Sequence, residues 1–283
     1  MLTDGAWGTE LQRMGLVPGE FADLWNLSCP EKVASVARSY VEAGSQIILT
    51  NTFRANCVAM SGEAFGGKVE AVNRAGVEIS RAAAAGKALV FASMGPSGKM
   101  LLAEEISEEE LADAFCEQAG ALAAAGPDAL LIETMSELKE ATIALKAAKE
   151  TGLPVVVSMV FDSGKDLDRT ITGVTPERAA KELTDQGADV IGANCGRGID
   201  GFAGICRRLH GATDLPIWIK SNAGLPRVCG DTIVYDMTPE AFAGHTSELV
   251  NAGASFLGGC CGTNPDFIRA LSRSLGELSV KAV

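Results

Sequence analysis

The stretch Gln186-Gly187-Ala188-Asp189-Val190-Ile191-Gly192-Ala193-Asn194-Cys195 decides the fold class. In it, a glycine ends a helical pattern, a short apolar run follows without polar alternation, and polar residues end the run. Glycine closes the last turn of a helix in a left-handed conformation at little cost. An apolar run that does not alternate is typical of a parallel strand with both faces buried. The same order recurs around Gly44, Gly126 and Gly253.

Further strands are predicted at four places, which together with the four glycine-led runs make eight. They are Met1–Asp4, Ala88–Ser93, Val155–Val160 and Ile217–Lys220. Helical patterns separate the strands, and no linker rich in proline, serine or charge divides the chain. A strand and a helix in about every 35 residues are typical of a (β/α)8 barrel. We therefore predict an α/β protein in which residues 1–283 form one domain, a single (β/α)8 TIM barrel.

The structural alternative is an open, doubly wound sheet. The first strand of such a sheet is usually followed by the glycine motif that binds dinucleotides. Here the first strand runs into Asp4-Gly5-Ala6-Trp7-Gly8-Thr9, which lacks that motif. The barrel is therefore favoured.

Composition argues against several classes of partner and indicates the cellular compartment of the protein. With 24 basic and 36 acidic residues the net charge is −12, so a nucleic-acid partner is not expected. No apolar stretch approaches the roughly 20 residues of a membrane span, and no membrane partner is expected. The start of the chain lacks a basic region followed by an apolar one, so no secretory signal is predicted. Eight cysteines without export favour free thiols or metal ligands, and we expect a cytoplasmic protein.

Chemistry-bearing residues stand at the predicted carboxyl ends of the strands, where barrels carry their active sites. Cys195, Cys260 and Cys261 are among them. Three thiolates can hold Zn²⁺ tetrahedrally and leave one position open for a substrate. The two adjacent cysteines can reach one ion only if the strand has ended, and Gly258-Gly259 and Gly262 permit such a bend. A vicinal disulfide, or two unrelated buried thiols, is the alternative.

Six segments, in this order along the chain, resemble one known family. They are Asp4-Gly5-Ala6-Trp7-Gly8-Thr9-Glu10-Leu11, Thr50-Asn51-Thr52-Phe53, Ile132-Glu133-Thr134, Gly192-Ala193-Asn194-Cys195, Asn222-Ala223-Gly224-Leu225-Pro226 and Gly258-Gly259-Cys260-Cys261-Gly262. The chain resembles, over nearly its whole length, the homocysteine S-methyltransferase family. This family includes the homocysteine-binding barrel of cobalamin-dependent methionine synthase and betaine–homocysteine methyltransferase.

The resemblance implies a zinc-dependent enzyme that methylates the thiol of L-homocysteine to give methionine. It implies that Cys195, Cys260 and Cys261 bind Zn²⁺ and that the substrate thiol becomes the fourth ligand. It also places Asp4 and Glu133 on the substrate amino group.

Thr52 and Asn222 are expected as further polar contacts, and Asn194 as support for the zinc ligands. For the two carboxylates, a helix cap or a solvated loop charge is the alternative. For the three other polar residues, an ordinary turn is the alternative.

The methyl donor is less constrained by the sequence. The chain has no D-x-H-x-x-G segment for a corrinoid, so the donor is expected to come from outside the chain. Betaine enzymes of the family have tyrosines near the positions of Phe53 and Thr134. The segments Leu24–Pro30 and Tyr235–Glu240 are more similar to the methionine synthase branch. We therefore expect a methylcorrinoid (a methylcobamide) on a separate protein.

Four alternatives remain. A small onium donor, betaine or S-methylmethionine, would be favoured by an aromatic box, to which Trp7, Trp25 and Phe53 could contribute. The acceptor could be a different thiol. The chain could be a non-catalytic homocysteine-binding subunit. A barrel aldolase could use Lys220 as a Schiff base, but three ligating cysteines have no role in that chemistry.

The remaining cysteines are expected to be ordinary thiols. They are Cys29, Cys57, Cys116, Cys206 and Cys229. Two of them, Cys57 and Cys229, lie in loops near the expected active face, and the sequence assigns them no role.

Overall fold

The computed structural model describes residues 1–17, 19–61, 67–229 and 232–281. Its strands are β1 Ile47–Leu49, β2 Leu89–Met94, β3 Ala129–Met135, β4 Val155–Met159, β5 Val190–Gly198, β6 Ile217–Asn222, β7 Arg227–Cys229, β8 Thr232–Val234 and β9 Ala254–Gly259. Within the described ranges, seven of them form one parallel sheet in the order β1-β2-β3-β4-β5-β6-β9. The other two, β7 and β8, form a small antiparallel pair.

Helices follow most strands of the large sheet. They are α1 Gly8–Arg13, α2 Trp25–Ser28, α3 Pro30–Glu42, α4 Val69–Ala84, α5 Glu108–Ala124, α6 Leu138–Lys149, α7 Pro176–Asp185, α8 Phe202–His210, α9 Pro239–Ala243, α10 Thr246–Asn251 and α11 Pro265–Lys281. Their starts follow from local sequence. Ser107 and Glu110 form a capping box at α5, and Thr175 caps α7 ahead of Pro176. Across the described parts of the chain, no helix is long and apolar enough to cross a membrane.

The strands are buried on both faces, as their continuous apolar runs predict. Every residue of β1 and of β4 is buried. One set of side chains packs against the surrounding helices. The other set fills the inside of the curled sheet, where the rings of Phe91 and Trp218 stack with their centroids 5.9 Å apart. Trp7 packs against this inner cluster.

The segment Met1–Asp4, predicted as an eighth strand, forms only an isolated bridge. Leu2 pairs in parallel with Leu257 of β9, and its carbonyl oxygen accepts the backbone N–H of Ile47 at 3.2 Å. The segment thus lies between β9 and β1. At Asp4, however, the backbone pairing ends. The side-chain Oδ2 of Asp4 accepts the N–H of Leu49 at 2.7 Å, a bond that a backbone carbonyl would accept in a regular strand.

The prediction of a (β/α)8 barrel is therefore correct only in part. The α/β class, the parallel sheet and the flanking helices are confirmed. The described residues give a seven-stranded sheet with a short bridging segment at the place of the eighth strand, and an eight-stranded ladder is not formed.

Candidate functional site

A cavity of about 440 Å³ opens at the carboxyl ends of the strands. The residues that line it include Trp7, Phe53, Ser93, Glu133, Cys195, Lys220, Cys260 and Cys261. They come from the start of the chain and from the ends of β2, β3, β5, β6 and β9, together with the segment after β1. Four of the seven predicted site residues therefore share one cavity.

The three predicted metal ligands form a compact group. The sulfur atoms of Cys195, Cys260 and Cys261 all lie within 4.8 Å of one another. Those of Cys195 and Cys261 are 3.9 Å apart. Four ligands at about 2.3 Å from a zinc ion in a tetrahedron are about 3.8 Å from each other. The three sulfurs therefore fit three corners of one tetrahedral metal site, and the fourth corner is left for another ligand.

The backbone bends where the two adjacent cysteines stand, as the glycines predict. Strand β9 ends at Gly259, and the N–H of Cys260 then donates to the carbonyl of Ser221 at 2.7 Å. The carbonyl of Cys261 accepts the N–H of Ala223 at 2.9 Å. Gly262 follows with a φ of +83°, a conformation that glycine adopts without strain. The two cysteines thereby reach the same site from a turn instead of from a strand.

Cys195 reaches the site through an irregularity in β5. Its φ is +58°, in the left-handed region that a residue with a Cβ atom rarely occupies. The pairing of β5 with β6 shifts register between Asn194 and Gly198. Such a bulge turns a side chain away from the regular alternation of a strand. The strained backbone therefore aims the thiol at its two partners.

Asn194 ties this irregularity to two neighbouring strands and to a thiol. Its Oδ1 accepts the N–H of Thr134 at 2.9 Å and the hydroxyl of Ser158 at 2.7 Å. Its Nδ2 donates to Thr134 Oγ1 at 2.7 Å and lies 3.9 Å from the sulfur of Cys260. Thr134 itself has a φ of +63°, a rare conformation for a β-branched residue. One amide thus fixes both β3 and the position of a sulfur.

The three thiols share their protons unequally. Hydrogen bonds from Cys260 and Cys261 lower the pKa of the Cys195 thiol to about 3. The same hydrogen bonding favours the protonated forms of the donors, and it raises the pKa of Cys261 to about 12. Cys195 is therefore the most acidic of the three thiols, and a metal ion bound by all three would require each to lose its proton.

The two predicted carboxylates lie at different depths. Asp4 is fully buried and does not line the cavity. Its Oδ2 accepts the N–H of Leu49 and, at 2.8 Å, the indole N–H of Trp7. Its Oδ1 accepts a hydrogen bond from the ammonium of Lys220. Asp4 is therefore paired with Lys220, which lines the cavity, and does not line the cavity itself.

Glu133 lines the cavity, and its side chain accepts a hydrogen bond from the hydroxyl of Ser93 at 2.6 Å. Burial raises the pKa of the Glu133 carboxyl above its ordinary value, and the charge of Lys220 opposes this rise. Of the two carboxylates, Glu133 is the one that lines the cavity.

The family model for homocysteine S-methyltransferases matches residues 1–275. The chain belongs to the homocysteine S-methyltransferase family. Two curated relatives are the methionine synthases of Mycobacterium leprae (strain TN) and Mycobacterium tuberculosis (strain ATCC 25618 / H37Rv). The first is 29% identical over 305 aligned residues and the second 28% over 306, in each case over 98% of this chain. The alignment covers 24% and 25% of those proteins, so the chain spans about a quarter of their length.

A solved structure of similar size is also related. It is the metallated form of the homocysteine methyltransferase MmuM from Escherichia coli. The two are 25% identical, with a TM-score of 0.78 over 96% of this chain and 95% of that one. The likeness extends over the whole fold of this homocysteine S-methyltransferase family member.

The two remaining predicted contacts are placed differently from each other. In this family member Thr52 is fully buried, shares a hydrogen bond with Thr50 and donates to the carbonyl of Ser93 at 2.7 Å. It joins the ends of two strands and does not line the cavity. The Nδ2 of Asn222 donates to the carbonyl of Gly196, the residue after Cys195, at 3.3 Å, and its buried Oδ1 has no hydrogen-bond partner among the described residues. Asn222 therefore adjoins the thiol group.

Sequence reasoning missed the part that Lys220 takes in the site. The signal was present, since Lys220 is the only charged residue in the otherwise apolar run Ile217-Trp218-Ile219 before Ser221. It was considered only as a Schiff-base lysine.

The other cysteines fit their expectation in the described part of the chain. Cys29, Cys57, Cys116 and Cys206 are free and do not belong to the group of Cys195, Cys260 and Cys261. The side chain of Cys229 lies outside the described residues.

Proposed function

We propose that this chain transfers a methyl group to the thiol of L-homocysteine, giving methionine, at a zinc ion held by Cys195, Cys260 and Cys261. The observation that carries the proposal is the group of three sulfurs within 4.8 Å of one another in the wall of the cavity. Family membership supports it, as do the names of the relatives, two methionine synthases and a homocysteine methyltransferase.

Zinc would supply one effect: a thiol, with an ordinary pKa of about 8.5, is deprotonated when it coordinates the metal. The chain's own residues supply the rest. The three cysteines would hold the ion, and Asn194 would keep the sulfur of Cys260 in place through its amide. Glu133 would accept hydrogen bonds from the ammonium group of the substrate. We also propose that Met1–Asp4 completes the wall of a (β/α)8 barrel, and that residues 1–283 form a single domain.

The reaction is a displacement at carbon. The deprotonated substrate sulfur attacks the methyl carbon, a carbon–sulfur bond forms, and the bond between that carbon and the donor breaks. The electron pair of the broken bond leaves with the donor. We propose that the donor is a methylcorrinoid carried by a separate protein, supported by the relatedness to methionine synthases.

A second donor class has one observation in its favour. The side chains of Trp7 and Phe53 both line the cavity, and aromatic rings attract an onium cation. Trp25, the third predicted member of an aromatic box, does not line it; its indole N–H instead donates to Glu20 at 2.9 Å. Two rings make a less complete box, so betaine or S-methylmethionine is the second candidate.

One experiment separates these possibilities. The reduced protein is loaded with zinc, its metal content is measured, and L-homocysteine is added with methylcobalamin, S-methylmethionine or betaine. Methionine is then quantified by mass spectrometry, with a Cys195→Ser variant as the control. We expect methionine from methylcobalamin alone. Methionine only from an onium donor would refute the corrinoid, and homocysteine binding with no methionine from any donor would favour a binding subunit. Failure to bind homocysteine, with zinc present, would point to a different thiol acceptor.

A further inference from the structure

Lys220 is a buried cation in the wall of the cavity. Its side chain is only 2% exposed, yet it is one of the residues that line the cavity. It reaches this position from β6, where its backbone pairs with Asn194 on one side and with Gly258 on the other. A lysine is almost never this buried unless it is paired.

Asp4 accounts for only part of the hydrogen-bonding capacity of Lys220. An ammonium group has three N–H donors. Among the described residues, Asp4 Oδ1 is the acceptor that the Lys220 ammonium contacts. The other oxygen of Asp4 is occupied by Leu49 and Trp7. Two donors of a buried charged group are thus left beside the cavity, and leaving such donors without a partner is costly.

Glu133 presents the opposite charge to the same cavity. Its Oε1 accepts the hydroxyl of Ser93, whereas its Oε2 has no hydrogen-bond partner within the described part of the chain. Glu133 and Lys220 are close enough for each to favour the charged form of the other. The wall therefore offers one cation and one anion, each with unused hydrogen-bonding capacity.

We propose that Lys220 is a specificity-determining residue that binds the α-carboxylate of the substrate while Glu133 binds its α-ammonium. Asp4 then acts as a positioning residue: Leu49 and Trp7 hold its Oδ2, its Oδ1 holds the lysine, and its side chain is buried away from the cavity. The charges alternate through the complex: Asp4 carboxylate, Lys220 ammonium, substrate carboxylate, substrate ammonium and Glu133 carboxylate. The inference rests on the proposed function for the thiol acceptor and revises the expectation that Asp4 contacts the amino group.

The first test uses the unaltered protein and two truncated ligands. Zinc-loaded, reduced protein is titrated calorimetrically with L-homocysteine, with 3-mercaptopropylamine, which lacks the carboxylate, and with 4-mercaptobutyrate, which lacks the amino group. Each truncation should raise the Kd about 10- to 100-fold, as expected for the loss of a charge-assisted hydrogen bond. If the Kd of 3-mercaptopropylamine were within about threefold of that of L-homocysteine, the carboxylate would not contribute to binding and Lys220 would not be its binding partner.

The second test asks whether Lys220 is responsible. Lys220→Met should raise the Kd for L-homocysteine and for 4-mercaptobutyrate about 10- to 100-fold and leave that for 3-mercaptopropylamine within about threefold. Lys149→Met removes a lysine that pairs with Asp189 at the surface, and it should change none of the three affinities. Equal weakening of all three ligands by Lys220→Met would show a merely structural role and overturn the proposal.

The outcomes also separate this inference from the function on which it rests. If L-homocysteine binds the unaltered protein but Lys220→Met binds it equally well, only the role of Lys220 is refuted. If zinc-loaded unaltered protein does not bind L-homocysteine, the proposed acceptor is refuted and the assignment falls with it. The series of truncated ligands needs no variant, so it can refute the assignment even if Lys220→Met does not fold.

Discussion

Cys195 shows how much of the site depends on single backbone positions. A cysteine at a φ of +58° costs about 1–3 kcal/mol compared with a relaxed conformation. That conformation persists because Asn194 is held on one side and Gly196, with a φ of +69°, turns the chain on the other. A relaxed residue at 195 would follow the alternation of the strand and would not bring its sulfur to those of Cys260 and Cys261.

Replacement of Cys260 by serine should abolish metal binding. A serine hydroxyl is not ionised near neutral pH, so the variant would keep only two of the three thiolate ligands proposed for the zinc ion. Zinc measured on the reduced, dialysed protein should fall from about one ion per chain to less than about a tenth. Cys116→Ser, at an exposed cysteine outside the group, should retain the full amount. Retention of zinc by Cys260→Ser would refute the proposed ligand set.

At this scale the sequence predicts the residue types better than their partners. The positions of Cys195, Cys260 and Cys261 at strand ends follow from their sequence context, and the structure brings their sulfurs together. The ion pair between Asp4 and Lys220 joins residues 216 positions apart, and no local pattern indicates it. The contact of Asp4 with Lys220 therefore becomes visible only in the structure.

Two irregular strands, β3 and β5, form the element that supports the thiols. The register of β3 with β4 shifts between Ile132 and Met135, next to Glu133 and Thr134. Asn194 spans this shift and the one in β5 with a single side chain. The two bulges therefore act as one unit, because moving one would break the hydrogen bonds that fix the other.

Asn194→Ala should weaken both folding and metal binding. Losing the buried hydrogen bonds to Thr134 and Ser158 should lower the free energy of unfolding by about 1–3 kcal/mol, measured by urea denaturation. Losing the contact with Cys260 should lower zinc affinity about 10- to 100-fold, measured against a chelator.

Asn73→Ala offers the matched control for that variant. Asn73 is fully buried and donates to the carbonyls of Ala55 and Val69 at 2.7 and 2.8 Å, away from the thiols. It should lose similar stability without losing zinc affinity. If both variants lost zinc affinity equally, the effect would come from general destabilisation and Asn194 would have no specific part.

The short 3-10 turn Ala22–Leu24 carries a pH-sensitive contact. Asp23 is 2% exposed and accepts the N–H of Arg54 at 2.9 Å. Burial raises the pKa of this carboxyl from 3.8 to about 6. Between these two values the folded state binds more protons than the unfolded state, so stability from this group falls as the pH rises through that range.

Asp23→Asn should remove this dependence, because the amide keeps an oxygen for Arg54 and carries no charge. A pKa difference of this size corresponds to about 3 kcal/mol. From pH 4 to pH 7.5 the unaltered protein should lose this contribution to its free energy of unfolding, whereas the variant has none to lose. The free energy of unfolding of the variant, minus that of the unaltered protein, should therefore rise by about this amount over the range. Urea denaturation across this range measures the difference, and parallel profiles for the two proteins would contradict the prediction.

Elements with strong local signals are those that the sequence predicts best. The capped starts at Ser107 and Thr238 coincide with the observed starts of α5 and α9. The pattern of residues 238–252 predicts a single helix, but in the structure this helix is interrupted at Gly244 and His245, between α9 and α10. At this interruption the hydroxyl of Thr246 donates to the carbonyl of Ala243 at 2.6 Å. The contact depends on the packing of the two short helices, which the hydrophobic periodicity of the sequence does not reveal.

For the whole molecule, the bridging segment Met1–Asp4 connects the two ends of the sheet. Leu2 is 3% exposed and packs in the core between β9 and β1. The sequence predicts an eighth strand at Met1–Asp4. It is too short to make a ladder because the Asp4 side chain replaces one of its backbone bonds.

Leu2→Ala should destabilise the entire fold. Truncating a buried leucine leaves a cavity and costs about 2–5 kcal/mol. Leu27→Ala, at a leucine that is 45% exposed, should change stability by less than about 0.5 kcal/mol. Thermal unfolding followed by circular dichroism compares the two variants. A Leu2→Ala protein as stable as Leu27→Ala would mean that the contacts of Leu2 between β9 and β1 do not stabilise the fold.

Two contacts, between Asp4 and Lys220 and between Leu2 and Leu257, determine when the fold can be completed during synthesis of the chain. The ribosome releases Asp4 long before Lys220 and the last two cysteines, and contacts between such distant residues form slowly. A growing chain therefore carries Cys195 with neither of its partner sulfurs until the residues up to Cys261 have emerged. The group of three thiols and the fold around it thus arise together, and a nascent chain that has not yet folded does not hold the three sulfurs side by side.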